Sequence, residues 1–335
     1  MLEYDYEKRC YNTIDVCKDL LKNKEWEQRY SEYAEEIIKN KDKIQKARKS
    51  FYQVSPLYVY SRISEATKKG SVVEYDLRFC GQSVASLKIR KQEITISTKE
   101  KDKNNELFFT TSQGLGPCKL DNEKWTGPQA RKFKVFFRDH EKELSERVKS
   151  PEHRLESTFL NLFNKTIPNI YPVTIADAFF QMPTPLKGSD KKNINYSGIT
   201  GGGIDILARV THGSNRDNRF AVMELKDENN PSETQGDVLL QAIKYATFLV
   251  YLLRSESGYD WYKIMNPKTK AESVPETLKI DVVSVMPEGK SDILADKKII
   301  IEIPEKRAQL HLYSLFFDSN NGAEFSGTFS NIIKK

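Results

Sequence analysis

The chain has 335 residues, of which 38% are hydrophobic and 30% are charged, and this length suits two domains of ordinary size. Its 53 basic and 47 acidic residues give a formal net charge of +6, which is compatible with a polyanionic partner but excludes a histone-like basic tail. No apolar run approaches the roughly 20 residues of a membrane helix, and the N-terminus lacks the cationic-then-apolar order of a signal peptide. We therefore expect a cytoplasmic protein that does not enter the membrane.

The cysteines and histidines indicate no disulfide framework or zinc site. None of the four cysteines forms a C-x-x-C pair, and a chain of this size does not need disulfides to fold. The four histidines are equally dispersed. The residues concerned are Cys10, Cys17, Cys80, Cys118, His140, His153, His212 and His311.

Residues 1 to about 50 are predicted to be helical, because apolar and aromatic residues recur there at helical spacing among mixed charges. The segment Lys39–Ser50 (KNKDKIQKARKS) is strongly basic. Two interpretations of this segment remain open, a solvated helix face and a strip that contacts phosphates.

Residues 55–112 are predicted to form a small, mostly antiparallel β module. Alternating, β-branched and aromatic runs are separated there by turn signals, with Cys80-Gly81-Gln82 as one turn. The runs are LYVYSRI, SVVEYDLRF, SVASLKIRK, EITIST and ELFFTTS. A helical pattern then returns in KVFFRDHEKELSERVKS, so residues 1–145 are assigned to an N-terminal domain whose role the sequence does not indicate.

A second domain is predicted over residues 150–335. Ser150 and Pro151 suit the N-cap and first position of a helix, and a proline-broken strand pattern follows it. Residues 186–203 (LKGSDKKNINYSGITGGG) are predicted to be a flexible wall or lid, since long loops in compact domains are usually functional or disordered. An Asn-Pro-Ser-Glu segment ending at Glu233 suggests the start of a further helix. Three more strands are predicted in LKIDVVSVMP, KKIIIEIP and QLHLYSLFF.

Charged residues stand at the end of an apolar strand in FAVMELKDEN, Phe220–Asn229. Because side chains alternate along a strand, Glu224 and Lys226 share a face. If this strand pairs with GGGIDILARV as a hairpin centred between Ser214 and Asn215, Asp205 lies opposite Glu224, with Cβ atoms roughly 4.5–5.5 Å apart. Two carboxylates that close repel each other unless a cation lies between them. The alternative is that the strand merely ends there, with Lys226 facing water.

The order of these residues resembles the signature of the PD-(D/E)xK nuclease superfamily. That signature is an acidic residue, a spacer and (D/E)-x-K on the next strand, matched here by Asp205 and Glu224-Leu225-Lys226, although Ile204 replaces the usual proline. Gln241 and Tyr245, spaced i and i+4, resemble the Q-x-x-x-Y element of RecB-like and lambda-exonuclease-like members. The resemblance covers about residues 150–290 and includes Glu156, at a helical position where members often carry an extra glutamate.

The resemblance implies an α/β (α+β) fold with a restriction-endonuclease-like mixed central sheet flanked by helices. It implies a nuclease that cleaves phosphodiesters to leave 5′-phosphate ends, with nucleic acid as the partner, DNA in preference to RNA. Asp205, Glu224, the Leu225 carbonyl and Glu156 would bind Mg²⁺ or Mn²⁺. Lys226 would orient the attacking water or stabilise the transition-state charge, and Gln241 and Tyr245 would position the water or the terminal phosphate.

Two other classes of function remain open. One is an inactive nucleic-acid-binding or scaffold module with a nuclease-like fold, although a lost site usually loses charges that are costly to keep together. The other is an enzyme on a different substrate, against which stands the absence of a nucleophile–histidine pair in the sequence pattern. Protein partners and self-association are left open, as are strand preference and exo or endo action.

Overall fold

The computed structural model describes residues 2–51, 55–62, 73–90, 93–98, 119–146, 148, 151–187, 194–198, 202–213, 217–228, 233–290, 294, 296–318 and 324–333. The chain divides into two compact units. The first unit comprises Met1–Ala34, Phe159–Val173 and Gln181–Lys335, and the second comprises Glu35–Thr158 and Thr174–Phe180.

Within these residues the structure has nine α-helices and two mixed sheets of seven strands each. The helices are α1 Leu2–Leu20, α2 Glu25–Lys39, α3 Lys41–Phe51, α4 Pro128–Asp139, α5 Glu141–Glu146, α6 Pro151–Lys165, α7 Gln235–Leu253, α8 Gly258–Met265 and α9 Ser330–Ile333. The strands of the first half are β1 Leu57–Arg62, β2 Val73–Phe79, β3 Gln82–Arg90, β4 Glu93–Thr98, β5 Glu123–Lys124, β6 Ile170–Pro172, β7 Thr174–Ile175, β8 Ala178–Phe180 and β9 Pro183–Thr184. Those of the second half are β10 Leu186–Lys187, β11 Asn195–Tyr196, β12 Gly202–Gly203, β13 Ile206–His212, β14 Asp217–Leu225, β15 Leu278–Pro287, β16 Ile299–Ile303, β17 Ala308–Phe317 and β18 Phe325–Ser326.

The central sheet of the first unit has the order β16-β17-β15-β14-β13-β6, and β18 pairs with β17. β14, β15 and β17 run parallel to one another, whereas β13 and β14 form an antiparallel hairpin. The sequence of β15, LKIDVVSVMP, is almost continuously apolar and almost wholly buried, as expected for a strand covered on both faces. The predicted mixed central sheet with flanking helices is confirmed.

Helix α7 is the core helix of the first unit. It packs on β14, β15 and β17 and also on α1, and therefore its sequence is apolar on nearly every side. The sequence analysis expected no apolar run long enough to span a membrane, but α7 is long and apolar enough to do so. In the structure, 78% of its most apolar 18-residue stretch is buried within the fold. Burial of this kind is typical of a core helix.

The N-terminal helices supply an aromatic layer to the same core. Trp26 and Tyr30 of α2 pack edge-on against Phe248 of α7, with ring centroids 5.5 and 5.0 Å away. The Trp261 indole N–H donates to the Tyr30 carbonyl at 3.0 Å. A buried indole needs such an acceptor, so this contact fixes α2 against α8.

The second unit contains the predicted β module. Its sheet has the order β5-β4-β3-β2-β1-β8-β7 and is antiparallel except where β1 pairs with β8. The predicted turn between β2 and β3 is confirmed, since Cys80 and Gly81 both have positive φ. Helix α4 packs on this sheet through Phe137, whose ring centroid is 5.1 Å from that of Phe79. The predicted strand ELFFTTS lies outside the described residues.

The units do not coincide with the predicted division into residues 1–145 and 150–335. Helix α1 packs on α7 and belongs to the first unit, while β7 and β8 belong to the second. The helical pattern of α1 predicts an apolar face but does not indicate which element that face packs against. Compact packing alone does not establish independent folding, so the predicted domain division stays a prediction.

The start of α7 differs from the sequence prediction. Thr234, not a residue of the Asn-Pro-Ser-Glu segment, is the N-cap, and its side chain accepts a hydrogen bond from the Asp237 amide. Asn and Thr are both good capping residues, so the sequence alone did not distinguish Thr234 from Asn230, the N-cap of a capping box that ends at Glu233.

Candidate active site

The hairpin of β13 and β14 has the register that the sequence analysis assumed for it. Every pair from Ile206↔Met223 to His212↔Asp217 has residue numbers that sum to 429. The turn residues 214–216 lie outside the described residues, but the pairs leading into the turn fix the register. Continued by one residue, it puts Asp205 opposite Glu224.

Asp205 lies just before β13, where the pairing ends, and its side chain is held by the neighbouring strand. Its Oδ2 accepts a hydrogen bond from the Leu225 amide at 2.9 Å. Hydrogen bonds from N–H groups to a carboxylate are among the stronger ones in proteins. The Asp205 carboxylate is therefore fixed next to the segment that carries Glu224 and Lys226.

Glu224 and Lys226 form a buried ion pair. The Lys226 ammonium donates to Glu224 Oε1 at 3.0 Å, and the two side chains are 9% and 3% exposed, respectively. The Lys226 amide also donates to the Val285 carbonyl of β15, so the chain stays tied to the sheet beyond the end of β14. The interpretation of Lys226 as a charge that merely faces water is wrong, because the side chain is buried.

Leu225 separates the two charged residues and points to the opposite face of the sheet, where its side chain is fully buried. Its amide is occupied by Asp205. The predicted role of its carbonyl as a metal ligand stays a prediction.

Tyr245 and Gln241 lie on α7, which packs on β14. Tyr245 is buried, and a Cβ added to Gly202 would lie 3.0 Å from its hydroxyl oxygen. The Tyr245 hydroxyl is thus against β12, three residues before Asp205. Gln241, one turn earlier, is half-buried. The structure brings Tyr245 to the strand that leads into the site, and the roles of both residues stay predictions.

Glu156 belongs to the second unit, on α6, and is only 4% exposed. Its carboxylate acts there on the half-buried Arg78 and the buried Tyr60. Burial by itself lowers the pKa of Arg78, but the carboxylates of Asp76 and Glu156 outweigh it and raise that pKa. Burial, and then the Glu156 carboxylate, raise the pKa of Tyr60. Glu156 therefore adds negative charge near Arg78, whose ion pair is with Asp76 at 2.8 Å, and its predicted role as a metal ligand stays a prediction.

The donor set of Asp205 and Glu224 fits a hard divalent cation. Mg²⁺ prefers oxygen ligands and keeps several waters, so two carboxylates on adjacent strands are a sufficient protein contribution. Among the described residues no group of three or more His, Cys, Asp or Glu side chains is arranged to hold a metal ion. A bound Mg²⁺ would therefore take its remaining ligands from backbone carbonyls, water or substrate.

The segment predicted to form a wall of the site is partly regular. β10 pairs with β11, and β12 pairs with β9. The sequence analysis missed these strands because each has only two residues. Residues 188–193 and 199–201 lie outside the described residues, and the predicted lid role stays a prediction.

A second polar cluster, which the sequence analysis did not single out, surrounds Asp281 on β15. Asp281 is fully buried, and its Oδ2 lies 2.6 Å from His212 Nε2 and its Oδ1 3.6 Å from Arg219 Nη1. His311 is close to this group: burial, then Arg219, lowers its pKa. The signal was present in the sequence, since an aspartate in the middle of the apolar run LKIDVVSVMP needs a buried partner.

Comparison of the chain with protein-family models, curated proteins and solved structures finds no match. The resemblance to the PD-(D/E)xK superfamily therefore stays a prediction that depends on the residues quoted above.

Proposed function

We propose that the protein is a divalent-metal-dependent nuclease that hydrolyses phosphodiester bonds, with DNA as its preferred substrate. The observation that carries the proposal is that Asp205, just before β13, accepts a hydrogen bond from the segment at the end of β14 that carries Glu224 and Lys226. Asp205 is held by the Leu225 amide, and Glu224 is ion-paired with the buried Lys226. The proposed cofactor is Mg²⁺ or Mn²⁺.

A buried ion pair next to a second carboxylate is poorly explained by stability. Removing two charges from water costs several kcal/mol per ion, and apolar residues of similar volume often stabilise a fold as well or better. Because α7 is apolar and packs on β14, aliphatic side chains at positions 224 and 226 would also pack well there. Charges kept there despite their cost are typical of a functional site.

The residues have separate tasks in the proposed reaction. A bound Mg²⁺ would polarise the scissile phosphate and lower the pKa of a coordinated water. Asp205 and Glu224 would hold that ion from two strands. Lys226 can donate up to three hydrogen bonds, so it can contact Glu224 and the attacking water or a phosphate oxygen together. Its positive charge would stabilise the negative charge that develops on the phosphate.

Two side chains of helix α7, which packs on β14, would position the reacting groups in the proposed site. The Tyr245 hydroxyl lies against Gly202 at the entrance to the Asp205 segment, and Gln241 lies one turn earlier on the same face of the helix. In the proposed function both contact the water or the terminal phosphate. Their amide and hydroxyl groups suit this task because they orient oxygen atoms without adding charge.

The test is cleavage by purified protein of linear and circular DNA, single- and double-stranded, and of RNA, in Mg²⁺, Mn²⁺ or EDTA. The proposal predicts cleavage of DNA with either metal and none with EDTA. Ligation of the products would show whether they carry 5′-phosphate ends.

Asp205→Asn, purified in the same way, controls for contaminating nucleases and should be inactive. Asp296→Asn is the matched control, since Asp296 is an exposed aspartate of the same unit. Binding of DNA with no metal-dependent cleavage by the wild-type protein would contradict the proposal and favour the scaffold alternative.

A further inference from the structure

A cavity of about 200 Å³ lies at the hairpin end of the central sheet, within the first unit. Three cationic side chains line it, from Arg209, Arg219 and Lys279, and an amide from Asn266 joins them. Phe220 and Tyr262 form an aromatic wall, with ring centroids 5.8 Å apart in an edge-on arrangement. None of the described residues that line the cavity is acidic.

Arg209 is the informative residue of this cavity. Its Nη1 donates to the Asn266 side-chain oxygen at 3.3 Å, and its guanidinium lies 6.0 Å from the centre of the Tyr171 ring. Its Nε is buried and has no hydrogen-bond acceptor in the described part of the chain. Burial lowers the pKa of Arg209, and no described carboxylate opposes that effect. A half-buried guanidinium without a counter-ion is costly unless an anion binds to it.

Arg219, the other arginine of the cavity, has a carboxylate partner, unlike Arg209. Arg219 lies 3.6 Å from the fully buried carboxylate of Asp281, which neutralises its charge. Lys279 lines the same cavity and has no ion pair with a described carboxylate. The excess positive charge of the cavity thus comes from Arg209 and Lys279.

The cavity is distinct from the candidate active site. Phe220, in its wall, and Glu224 lie on the same strand four residues apart, which corresponds to roughly 13 Å at about 3.3 Å per residue. Without a bound cation, the Asp205 and Glu224 carboxylates would also repel an anion, whereas this cavity has the opposite charge.

We infer that this cavity binds the phosphoryl group of a small phosphate monoester, held by Arg209 and Lys279 with the aromatic wall beside the organic part. A guanidinium presents parallel N–H donors that match two oxygens of a phosphate, and the contact from Nη1 to Asn266 is the one hydrogen bond that this guanidinium makes among the described residues. The small volume suits a compact ligand. The inference does not depend on the nuclease proposal.

Isothermal titration calorimetry at constant ionic strength tests this with inorganic phosphate, adenosine 5′-monophosphate and adenosine as probes. We expect phosphate and the monophosphate to bind, the monophosphate more tightly because of the aromatic wall, and adenosine not to bind. Arg209→Gln, which removes the charge and retains an amide, should weaken binding of both anions at least tenfold. Arg138→Gln, at an arginine that is 62% exposed in the second unit, should leave it unchanged.

Failure of both anions to bind, or equal affinity in the wild type and Arg209→Gln, would overturn the inference. If circular dichroism shows that Arg209→Gln is misfolded, Lys279→Gln decides, with a loss of binding expected and unchanged binding contradicting the inference. An oligonucleotide that binds in an Arg209-dependent way while phosphate and the monophosphate do not bind would show that the small-ligand assignment is wrong.

Discussion

Lys226 and Glu224 are the residues on which the account depends most. Each side chain is almost fully buried, and the two share a hydrogen bond of 3.0 Å. Each of the two charges loses its hydration on burial, and the attraction between them offsets that cost. The stability of the site and its chemistry are therefore linked through the same two atoms.

Lys226→Ala should lower the free energy of unfolding by roughly 3–5 kcal/mol, because it leaves the Glu224 carboxylate buried without its ammonium partner. The double variant Glu224→Gln/Lys226→Ala should lose less than the two single losses added together. Urea unfolding followed by circular dichroism measures the loss of stability in Lys226→Ala, in Glu224→Gln and in the double variant.

Lys263→Ala is the control for a lysine ion pair at the surface. Lys263 is 45% exposed and pairs with Asp260, so its loss should cost no more than about 1 kcal/mol. Strict additivity of the Glu224 and Lys226 effects would show that the two residues are not coupled, and the structural basis of the site would then be wrong.

At the residue scale, the sequence indicated which side chains meet at the hairpin but not how deeply they are buried. Alternation along a strand places Glu224 and Lys226 on one face, and the register adds Asp205. Burial depends on what covers that face, which is set by segments far away in the sequence. For the same reason, neither the burial of Glu156 near Arg78 nor the lack of a described counter-ion for Arg209 could be predicted.

At the element scale, the hairpin was predictable and the packing around it was not. The register of β13 and β14 is the one assumed for a turn centred between Ser214 and Asn215, although an eight-residue connection by itself fixes a register poorly. The placement of α1 against α7 and the two-residue strands β9 to β12 depend on tertiary contacts, which local patterns do not contain. β12 is the clearest case, because a run of glycines carries no alternation at all.

Gly202 of β12 is expected to have no room for a side chain. A Cβ there would lie 3.0 Å from the Tyr245 hydroxyl and 3.1 Å from the Leu186 carbonyl oxygen. Gly202→Ala should therefore lower the free energy of unfolding by about 1–3 kcal/mol and displace Tyr245. Thermal unfolding together with Mg²⁺-dependent cleavage measures both effects.

Gly289→Ala is the matched control, because a Cβ there meets nothing within 4 Å. Tyr245→Phe/Gly202→Ala should recover part of the stability, since the 3.0 Å contact with the hydroxyl is removed while the contacts with the Leu186 carbonyl at 3.1 Å and the ring edge at 3.4 Å remain. Wild-type stability in Gly202→Ala would contradict the close packing of Tyr245 against β12.

At the scale of the whole molecule, charge and fold support the same proposal in different ways. The net charge of +6 suits a polyanionic substrate without specifying one. The mixed α/β class with a helix-flanked central sheet was predicted from the resemblance to the PD-(D/E)xK superfamily, with which the order of strand and helix patterns agreed. The division into two units was not predictable from local patterns, because α1, at the N-terminal end of the chain, packs on α7 in the first unit.

The charges of the site and those that bind substrate are expected to act separately. Phosphate contacts supply most of the affinity of a nuclease for its substrate, and they weaken as salt is raised. Substitutions within the site should therefore change cleavage much more than binding. This separation distinguishes a catalytic site from a merely basic surface.

The proposed roles of Asp205 and Lys226 are tested by the single-turnover cleavage rates of Asp205→Asn and Lys226→Ala at saturating Mg²⁺. Circular dichroism verifies folding, and Mn²⁺ binding is titrated in parallel. Both variants should bind DNA with nearly wild-type affinity. Lys226→Ala should cleave on the order of 10²–10³ times more slowly and still bind Mn²⁺, since it loses electrostatic stabilisation but no ligand. Asp205→Asn should lose both cleavage and Mn²⁺ affinity. Cleavage by Lys226→Ala at the wild-type rate in Mg²⁺ and Mn²⁺ would contradict the account.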